Sequence, residues 1–259
     1  MKKILNKVFG PVLGKKAFQD FFHMLHKLAL IGMNFGGGAD YKQSGEEWVF
    51  GYLKNKIKTQ AGVLFDVGAN VGGYTLAASS ALPGWKIYAF EPAPQTFARL
   101  QQATKELSDI SLHNLGLSSQ TGEASLNFGE DVTGLASLYD RDVLKNANAG
   151  KVPIKLDTID NFCSQNNINR INFLKLDVEG HELEALKGAK NMLDEIKIDF
   201  IQFEFGGTDI DARVFLKDFF ALLEKYHIAR VLKDGLEFIR YEETEEIFTT
   251  TNYLAELKQ

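Results

Sequence analysis

The sequence predicts an α/β protein with a doubly wound, mostly parallel sheet and helices on both faces. Short apolar runs alternate with segments of helical periodicity along most of the 259 residues. Three of these runs, GVLFDVG, INFLKLD and IDFIQFEF, carry apolar side chains on both faces of a strand, which is typical of central strands in a parallel sheet. Because parallel strands need long crossover connections, the intervening helices are expected to cover the sheet.

Composition and net charge are those of an ordinary globular protein. The chain is 45% hydrophobic and 24% charged, with a formal net charge of −5, so we expect no nucleic-acid partner. Its single cysteine, Cys163, cannot form an internal disulfide and is expected to be a small buried apolar residue. A reducing compartment fits this cysteine content, and we expect a cytoplasmic protein.

Residues 1–44 are expected to form an N-terminal helical extension, or cap, before a catalytic domain over residues 45–259. A glycine-rich break, NFGGGADYKQSG, separates the two parts. Lysines interrupt the apolar start, and FFHMLHKLALIG is too short to span a bilayer, so we expect neither an export signal nor a transmembrane segment. This helix is expected either to pack on the domain or to contact a membrane peripherally. His23 and His26 share one of its faces, but without a third ligand they indicate no metal site.

The first half of the domain is expected to alternate strand and helix. The SGEE sequence at Ser44 matches a capping box and predicts a helix over residues 45–58. The strand GVLFDVG is followed by a helix over residues 72–80, the strand WKIYAFE, a helix that begins at Pro94 and the strand DISLHNL. Residues 116–150 are rich in Gly, Ser and Asn and predict a hairpin around GEASLNF.

The second half repeats this order. The strand VPIKLD leads through a cap at Asp157 and Thr158 into a short helix, and INFLKLD leads into the helix EGHELEALKGAKNML. IDFIQFEF precedes the helix DARVFLKDFFALLEKY, and IARVLKD is expected to pair with LEFIRYE around Asp234 and Gly235.

Acidic residues end four of the predicted strands, at Asp66, Glu91, Asp177 and Glu204. Ligands of doubly wound sheets bind at the carboxyl ends of the strands, so these acids mark the expected site. Asp177 and Glu204 also suit Mg²⁺, which takes carboxylate and substrate oxygens, although nothing in their spacing requires a metal.

The turn after the first buried strand predicts the cofactor. FDVGANVGG has glycines for a close backbone approach at a helix N-terminus, but Asn70 stands where a dinucleotide fold needs its middle glycine. Asp66 precedes the turn and suits a cationic ligand group, as in S-adenosylmethionine, which has an amine and a sulfonium but no phosphate. Glu91 is the acid expected to accept hydrogen bonds from ribose hydroxyls. An NAD(P)-dependent oxidoreductase, disfavoured by Asn70 and Asp66, and a non-catalytic cofactor-binding protein are the alternatives.

A family resemblance covers roughly residues 45–204. The chain contains, in order, FDVGANVGGYT, YAFEPAPQTFARL, LHNLGLSSQTGEASL, VPIKLDTID and FLKLDVEGHELEALKGA. Together these motifs resemble the FkbM-type S-adenosylmethionine-dependent methyltransferases, although Ala103 stands where that family often has Asn. The resemblance implies a Rossmann-like class I methyltransferase with a seven-stranded sheet, which transfers methyl groups to hydroxyls of sugars or secondary metabolites. The cofactor-binding residues that it implies are Asp66, Gly68, Asn70, Gly72, Glu91, Asn114, Leu115 and Asp177.

Methyl transfer to oxygen needs an aligned hydroxyl and a group that takes its proton. The candidate catalytic residues are Asp177, Glu179 and His181 in LDVEGHE. We expect Asp177 to position the acceptor or hold a metal, and His181 or Glu179 to remove the proton. The alternatives are an acidic first helical turn for Glu179 and Glu182 and a surface helix position for His181. The expected acceptor is a small molecule or saccharide, in particular a sugar hydroxyl on a glycan or glycolipid precursor, with residues 1–50 and 116–150 shaping its side of the site.

Overall fold

The computed structural model describes residues 9–37, 44–58, 61–128, 136–139 and 150–258. The strands are β1 Val63–Val67, β2 Lys86–Phe90, β3 Ile110–His113, β4 Gly116–Leu117, β5 Gly122–Phe128, β6 Gly150–Asp157, β7 Ile171–Leu176, β8 Ile198–Phe205, β9 Tyr226–Leu232, β10 Gly235–Phe238 and β11 Thr251–Leu257. The α-helices are α1 Gln19–Gly32, α2 Glu46–Lys56, α3 Gly73–Ala81, α4 Pro94–Thr104, α5 Ile159–Gln165, α6 Glu182–Lys187, α7 Lys190–Asp194, α8 Gly207–Ala212 and α9 Leu216–Leu222.

The main sheet has the strand order β10-β9-β11-β8-β7-β1-β2-β3. From β8 to β3 the neighbouring strands are parallel, whereas β11 is antiparallel to both of its neighbours. The doubly wound, mostly parallel α/β class is therefore confirmed. The sheet has eight strands rather than seven, because the tight turn after β9 adds β10 as an antiparallel edge strand, as the pairing of Leu232 with Gly235 shows.

A second sheet of three strands, in the order β4-β6-β5, lies beside the main one. β5 and β6 are antiparallel from the Gly122–Leu156 pair to the Phe128–Gly150 pair, which confirms the hairpin expected around GEASLNF. Leu126 on β5 and Ile154 on β6 pack against Ala93 before α4. The small sheet is thereby fixed next to the end of β2.

Two apolar cores cover the two faces of the main sheet. Leu64 packs with α2 and α3, whereas the next residue, Phe65, packs with α5, α6 and α9 on the other face. Both side chains are fully buried, as the alternation of strand side chains requires. Helices on both faces are therefore confirmed, and Cys163 lies buried in the second core, as expected.

Two of the predicted helices are each divided into two. EGHELEALKGAKNML forms α6 and α7, which are separated where the Gly188 carbonyl accepts the N–H of Asp160 at 3.0 Å instead of continuing the helix. DARVFLKDFFALLEKY overlaps α8 and α9, which are separated at Arg213, whose φ of 57° is left-handed. Interactions with distant residues therefore override local helical preference at both breaks.

The two caps predicted from the sequence have different outcomes. At α5 the Thr158 side chain accepts the N–H of Asn161, which confirms that cap. At α2 the N-cap is Gly45, with φ 96°, and not Ser44. Any Cβ at Gly45 would lie 2.2 Å from the carbonyl oxygen of Leu232, so contact with β9 sets the start of this helix.

Helix α1 is attached to the domain through the residues that follow it. Asn34 donates side-chain hydrogen bonds to the carbonyls of Ser44 and Val231, at 2.8 and 3.0 Å. None of the residues of α1 is buried, so the expectation that it packs on the domain is wrong. Within the described ranges, no helix is both long enough and apolar enough to cross a membrane.

Candidate active site

A cavity of about 730 Å³ lies at the carboxyl ends of β1, β2, β7 and β8. It lies where the strand order reverses between β1 and β7, the position at which doubly wound sheets bind ligands. Its volume is within the range of cofactor pockets. The predicted site residues on its wall are Gly68, Asn70, Glu91, Leu115, Asp177, Glu179, His181 and Glu204. Of the other predicted residues, Asp66, Gly72 and Asn114 are not on the wall.

The turn after β1 needs glycine at position 68 because two loops meet there. Gly68 has φ 83°, and a Cβ on it would lie 1.8 Å from the carbonyl oxygen of Asp177. The Asp177 N–H in turn donates to the Val67 carbonyl at 3.0 Å. Gly68 therefore lets the ends of β1 and β7 come together, which brings the Asp177 carboxylate to the cavity.

Glu91 and Asn70 form the wall at the end of β2. The Glu91 carboxylate accepts the backbone N–H groups of Asn70 and Ala93, at 3.0 and 2.9 Å. Burial raises the pKa of Glu91 to about 7. The side-chain oxygen of Asn70 is buried and has no hydrogen-bond partner among the described residues. This wall therefore offers a ligand two hydrogen-bond acceptors, the Glu91 carboxylate and the Asn70 side-chain oxygen.

These acceptors fit the chemistry of S-adenosylmethionine. Ribose hydroxyls and an amine are donors that the Glu91 carboxylate and the Asn70 oxygen would accept. Asp177 adds a further carboxylate, and the described lining residues include no lysine or arginine. A dinucleotide pyrophosphate carries negative charge and would find little in this set to bind it.

Asp66 lies behind the wall in a buried polar network. Its carboxylate accepts the Thr75 hydroxyl at 2.6 Å and lies 3.4 Å from the Lys175 ammonium. Lys175 also donates to Asp177 at 3.1 Å, and its nitrogen lies 4.7 Å from the centroid of the Tyr74 ring. Asp66 is thus connected to the cavity wall through Lys175 and Asp177. Sequence reasoning missed Lys175, although one lysine within the apolar run of β7 has to be paired when it is buried.

Gly72 and Asn114 support the cavity from outside. Gly72 has φ 94° before α3, and a Cβ there would lie 2.9 Å from the Leu100 side chain. Asn114 donates to the carbonyls of Glu91 and Pro92, at 2.8 and 3.0 Å. These contacts hold the turns after β1 and β2 in place.

The loop after β7 brings His181 to the cavity between two hydroxyl groups. Its Nδ1 lies 3.0 Å from the Tyr139 hydroxyl and its Nε2 lies 2.9 Å from the Ser118 hydroxyl. His181 is half-buried, and burial lowers its pKa. The expectation of a surface helix position is therefore wrong. Glu179, with φ 55°, belongs to the turn before α6 and does not lie in the first turn of a helix, whereas Glu182 does lie in that first turn.

Two further carboxyl groups, those of Glu204 and Glu182, are largely buried near this loop. Burial, with the charge of Asp177 next, raises the pKa of Glu204 well above its ordinary value. Burial likewise raises the pKa of Glu182, whose carboxylate accepts the Val178 N–H at 2.7 Å. Asp177 and Glu204 both line the cavity, but the described part of the chain contains no group of three His, Cys, Asp or Glu that could hold a metal ion.

Several lining residues carry no local sequence signal. Thr208 follows β8, and Phe248, Thr249 and Thr250 precede β11. Leu117, Leu126, Leu138, Ile154 and Leu156 form an apolar wall next to the small sheet. The tertiary fold brings these segments together and places Leu117, Leu126 and Leu138 on the cavity wall. That the segment 116–150 shapes the acceptor side stays a prediction.

Over residues 66–229, more than half of the chain, the sequence matches the methyltransferase FkbM domain family. The hexuronic acid methyltransferase AglP of Haloferax volcanii is 30% identical over 157 residues, which cover 60% of this chain and 62% of that protein. The 31-O-demethyl-FK506 methyltransferase FkbM of Streptomyces tacrolimicus is 26% identical over 167 residues, which cover 54% of this chain and 64% of that protein. The chain thus spans about three fifths of the length of these relatives.

Among solved structures, the N-terminal domain of human METTL16 in complex with SAH has 12% identity and a TM-score of 0.42, with 83% of this chain and 69% of that chain covered. The family match begins at Asp66 and contains all of the described residues on the cavity wall except Gly36, Phe248, Thr249 and Thr250. It includes Glu91, Asp177 and His181, and confirms the resemblance found in the motifs. The chain therefore belongs to the FkbM methyltransferase family.

Proposed function

We propose that the protein transfers a methyl group from S-adenosylmethionine to a hydroxyl of an uncharged sugar. The observation that carries this proposal is the pair of acceptors, Glu91 and Asn70, on the wall of the cavity at the carboxyl ends of the strands. The name of the archaeal relative, a hexuronic acid methyltransferase, supports a saccharide acceptor. The name of the Streptomyces relative, a 31-O-demethyl-FK506 methyltransferase, supports transfer to oxygen.

His181 is the residue best suited to take the hydroxyl proton. Bound S-adenosylmethionine supplies an electrophilic methyl group, and transfer to a hydroxyl oxygen releases one proton. Because burial lowers its pKa, the imidazole is neutral near pH 7 and able to accept. A neutral imidazole accepts at one nitrogen only, so the sugar hydroxyl would take the place of Tyr139 or Ser118 at that nitrogen. Asp177, on the same wall, would orient the hydroxyl.

Replacing His181 by alanine tests this role. We expect kcat to fall by about 10²–10⁴-fold, the usual contribution of a general base, with the affinity for S-adenosylhomocysteine nearly unchanged. His227→Ala is the matched control, since His227 is an exposed histidine on β9 and should leave kcat unchanged. A fall of less than about threefold in His181→Ala would assign the proton to another group, of which Glu179 is the next candidate.

The charge of the cavity supports an uncharged acceptor. Asp177, Glu179 and Glu204 line it on the side away from Glu91, and no lysine or arginine is among its described lining residues. A hexuronate carboxylate would be repelled by the carboxylates of Asp177 and Glu179, whereas Glu204 adds little negative charge because burial raises its pKa well above its ordinary value. Methyl transfer to neutral hexosides and to the corresponding hexuronates should therefore differ by about tenfold or more in kcat/KM, in favour of the neutral sugars. Preference for the hexuronates would contradict this choice, and methylation of nucleic acids or protein amines alone would contradict the proposed function.

The variant with a Mg²⁺ at Asp177 and Glu204 fits these residues poorly, because burial raises the pKa of Glu204 well above its ordinary value and the described residues include no group of three His, Cys, Asp or Glu that could hold a metal ion. Activity that is lost after EDTA treatment and desalting, and restored by Mg²⁺, would support the variant. Full activity of the desalted protein would remove this metal from the mechanism.

A further inference from the structure

Helix α1 presents a row of large apolar side chains that the described chain does not cover. Phe21, Met24, Leu25, Leu28 and Ile31 are exposed and recur at helical spacing along one face. The side chains of Leu28 and Ile31 are 62% and 70% exposed. Single exposed apolar residues are common, but a continuous row on one helix marks an interaction surface.

The same part of the chain is basic. Residues 1–33 contain six lysines and one aspartate, a net charge of +5, while the whole chain carries −5, so the remaining residues carry −10. Lys15 and Lys16 directly precede α1, and Lys27 lies on the helix beside the apolar row. An apolar face flanked by lysines is typical of helices that lie in the interface of an anionic membrane.

The end of α1 is fixed close to the cavity. Four residues after Gly32, the N–H of Gly36 donates to the Thr250 carbonyl at 2.7 Å, and both Gly36 and Thr250 line the cavity. Asn34 holds the intervening segment through its hydrogen bonds to the carbonyls of Ser44 and Val231. The surface that the helix contacts is therefore only a few residues along the chain from the cavity wall.

We propose that α1 lies on an anionic membrane surface, with its apolar row among the acyl chains and its lysines at the headgroups. A second copy of this chain is the competing occupant. Pairing of two α1 helices would bring two segments of the same positive charge together, whereas an anionic bilayer neutralises them. This position suits an acceptor carried on a lipid, a consequence that rests on the proposed methyl transfer.

Sedimentation with lipid vesicles tests the proposal with the full chain. The wild type should bind vesicles of phosphatidylcholine and phosphatidylserine in equal parts at least about tenfold more tightly than vesicles of phosphatidylcholine alone, since each lysine at an anionic surface contributes about fivefold. The Leu28→Asp/Ile31→Asp variant should bind the mixed vesicles at least about 100-fold more weakly, because two large apolar side chains no longer enter the bilayer. Its thermal stability and its affinity for S-adenosylhomocysteine should equal those of the wild type, because no residue of α1 is buried.

The matched control is Ile196→Asp/Phe238→Asp, which makes the same change of charge and polarity at two exposed apolar residues outside α1. It should bind vesicles as the wild type does. If Leu28→Asp/Ile31→Asp does not fold, the surface variant Lys15→Glu/Lys16→Glu/Lys27→Glu should abolish the preference for anionic vesicles.

Three results would overturn the proposal: no binding to the mixed vesicles, equal binding of the helix variant and the control, or no preference for anionic lipid. Light scattering without lipid tests whether a second copy of this chain, and not a membrane, covers the apolar row. A wild-type dimer that Leu28→Asp/Ile31→Asp converts to a monomer, together with no vesicle binding, would assign the apolar row to a second copy.

Discussion

Replacing Lys175 by methionine is expected to destabilise the folded protein by about 3–5 kcal/mol. The Lys175 side chain is 4% exposed, and its ammonium lies 3.4 Å from an oxygen of Asp66 and 3.1 Å from one of Asp177. Asp66 is fully buried, so the substitution would leave its carboxylate without the nearby cation. Methionine keeps most of the volume of the lysine stem, so the loss would report the charge rather than a cavity.

Coulomb's law gives the size of the effect. With an effective dielectric constant of about 20, two unit charges 3.4 Å apart attract by roughly 5 kcal/mol, and desolvation of the lysine offsets part of this. The pair with Asp177 contributes less, because that carboxylate is 41% exposed and screened by water. Burial opposes the charge of Lys175, but Asp177 and Asp66 outweigh it and raise the lysine pKa above its ordinary value.

Urea denaturation at neutral pH measures the loss. The double variant Lys175→Met/Asp66→Asn should recover about half of it or more, since it removes the unpaired carboxylate and keeps an acceptor for the Thr75 hydroxyl. Lys155→Met replaces an exposed lysine on β6 and should stay within about 0.5 kcal/mol of the wild type. A loss below about 1 kcal/mol for Lys175→Met, or no recovery in the double variant, would refute the reasoning.

Three further predictions concern single residues. Gly68→Ala should lower the free energy of unfolding by at least about 2 kcal/mol, because Gly68 has a positive φ and a Cβ there would clash with the Asp177 carbonyl. Gly73→Ala is the control and should cause no such loss, because a Cβ at Gly73 meets open space. Equal losses in the two variants would contradict this prediction. Burial raises the pKa of Glu91 to about 7, so the carboxylate that accepts the ribose hydroxyls is mostly protonated at pH 6 and mostly ionised at pH 8. Calorimetry should therefore show S-adenosylhomocysteine affinity rising about tenfold from pH 6 to pH 8 for the wild type, and no change with pH for Glu91→Gln. A flat wild-type profile would count against the ribose role. Burial also raises the pKa of Asp209 to about 7, so the folded state holds a proton that the unfolded chain loses near pH 4. The free energy of unfolding should therefore fall as pH rises from about 4 through 7. In urea denaturation, Asp209→Asn should reduce this dependence on pH.

The sequence predicted the parts of the fold whose signals are local. β1, β7 and β8 are largely apolar runs, and the acids at or just after their ends identify the correct edge of the sheet. β11 was not predicted, because its first two residues, Thr251 and Asn252, are polar although both are buried. Its position between β8 and β9 depends on pairing with strands distant in sequence, which single-sequence patterns do not show.

In the candidate site, too, the sequence identified residues but not the distant side chains that they contact. Asp66 ends a strand at the expected edge, but strand alternation turns its side chain to the α3 side, so it meets Thr75 and Lys175 rather than the cavity. The hydroxyl partners of His181, Ser118 and Tyr139, lie 63 and 42 residues away in sequence. No local pattern contains such pairs, so the sequence identified His181 as a candidate without showing what its ring nitrogens contact.

Isothermal titration calorimetry with S-adenosylhomocysteine tests most directly the central claim that the cavity between the ends of β1 and β7 binds S-adenosylmethionine. We predict binding of one ligand per chain to the wild type, binding at least about tenfold weaker to a folded Glu91→Ala variant, and no binding of NADH. Binding of NADH without S-adenosylhomocysteine, or a Glu91→Ala variant that binds S-adenosylhomocysteine as tightly as the wild type, would contradict it.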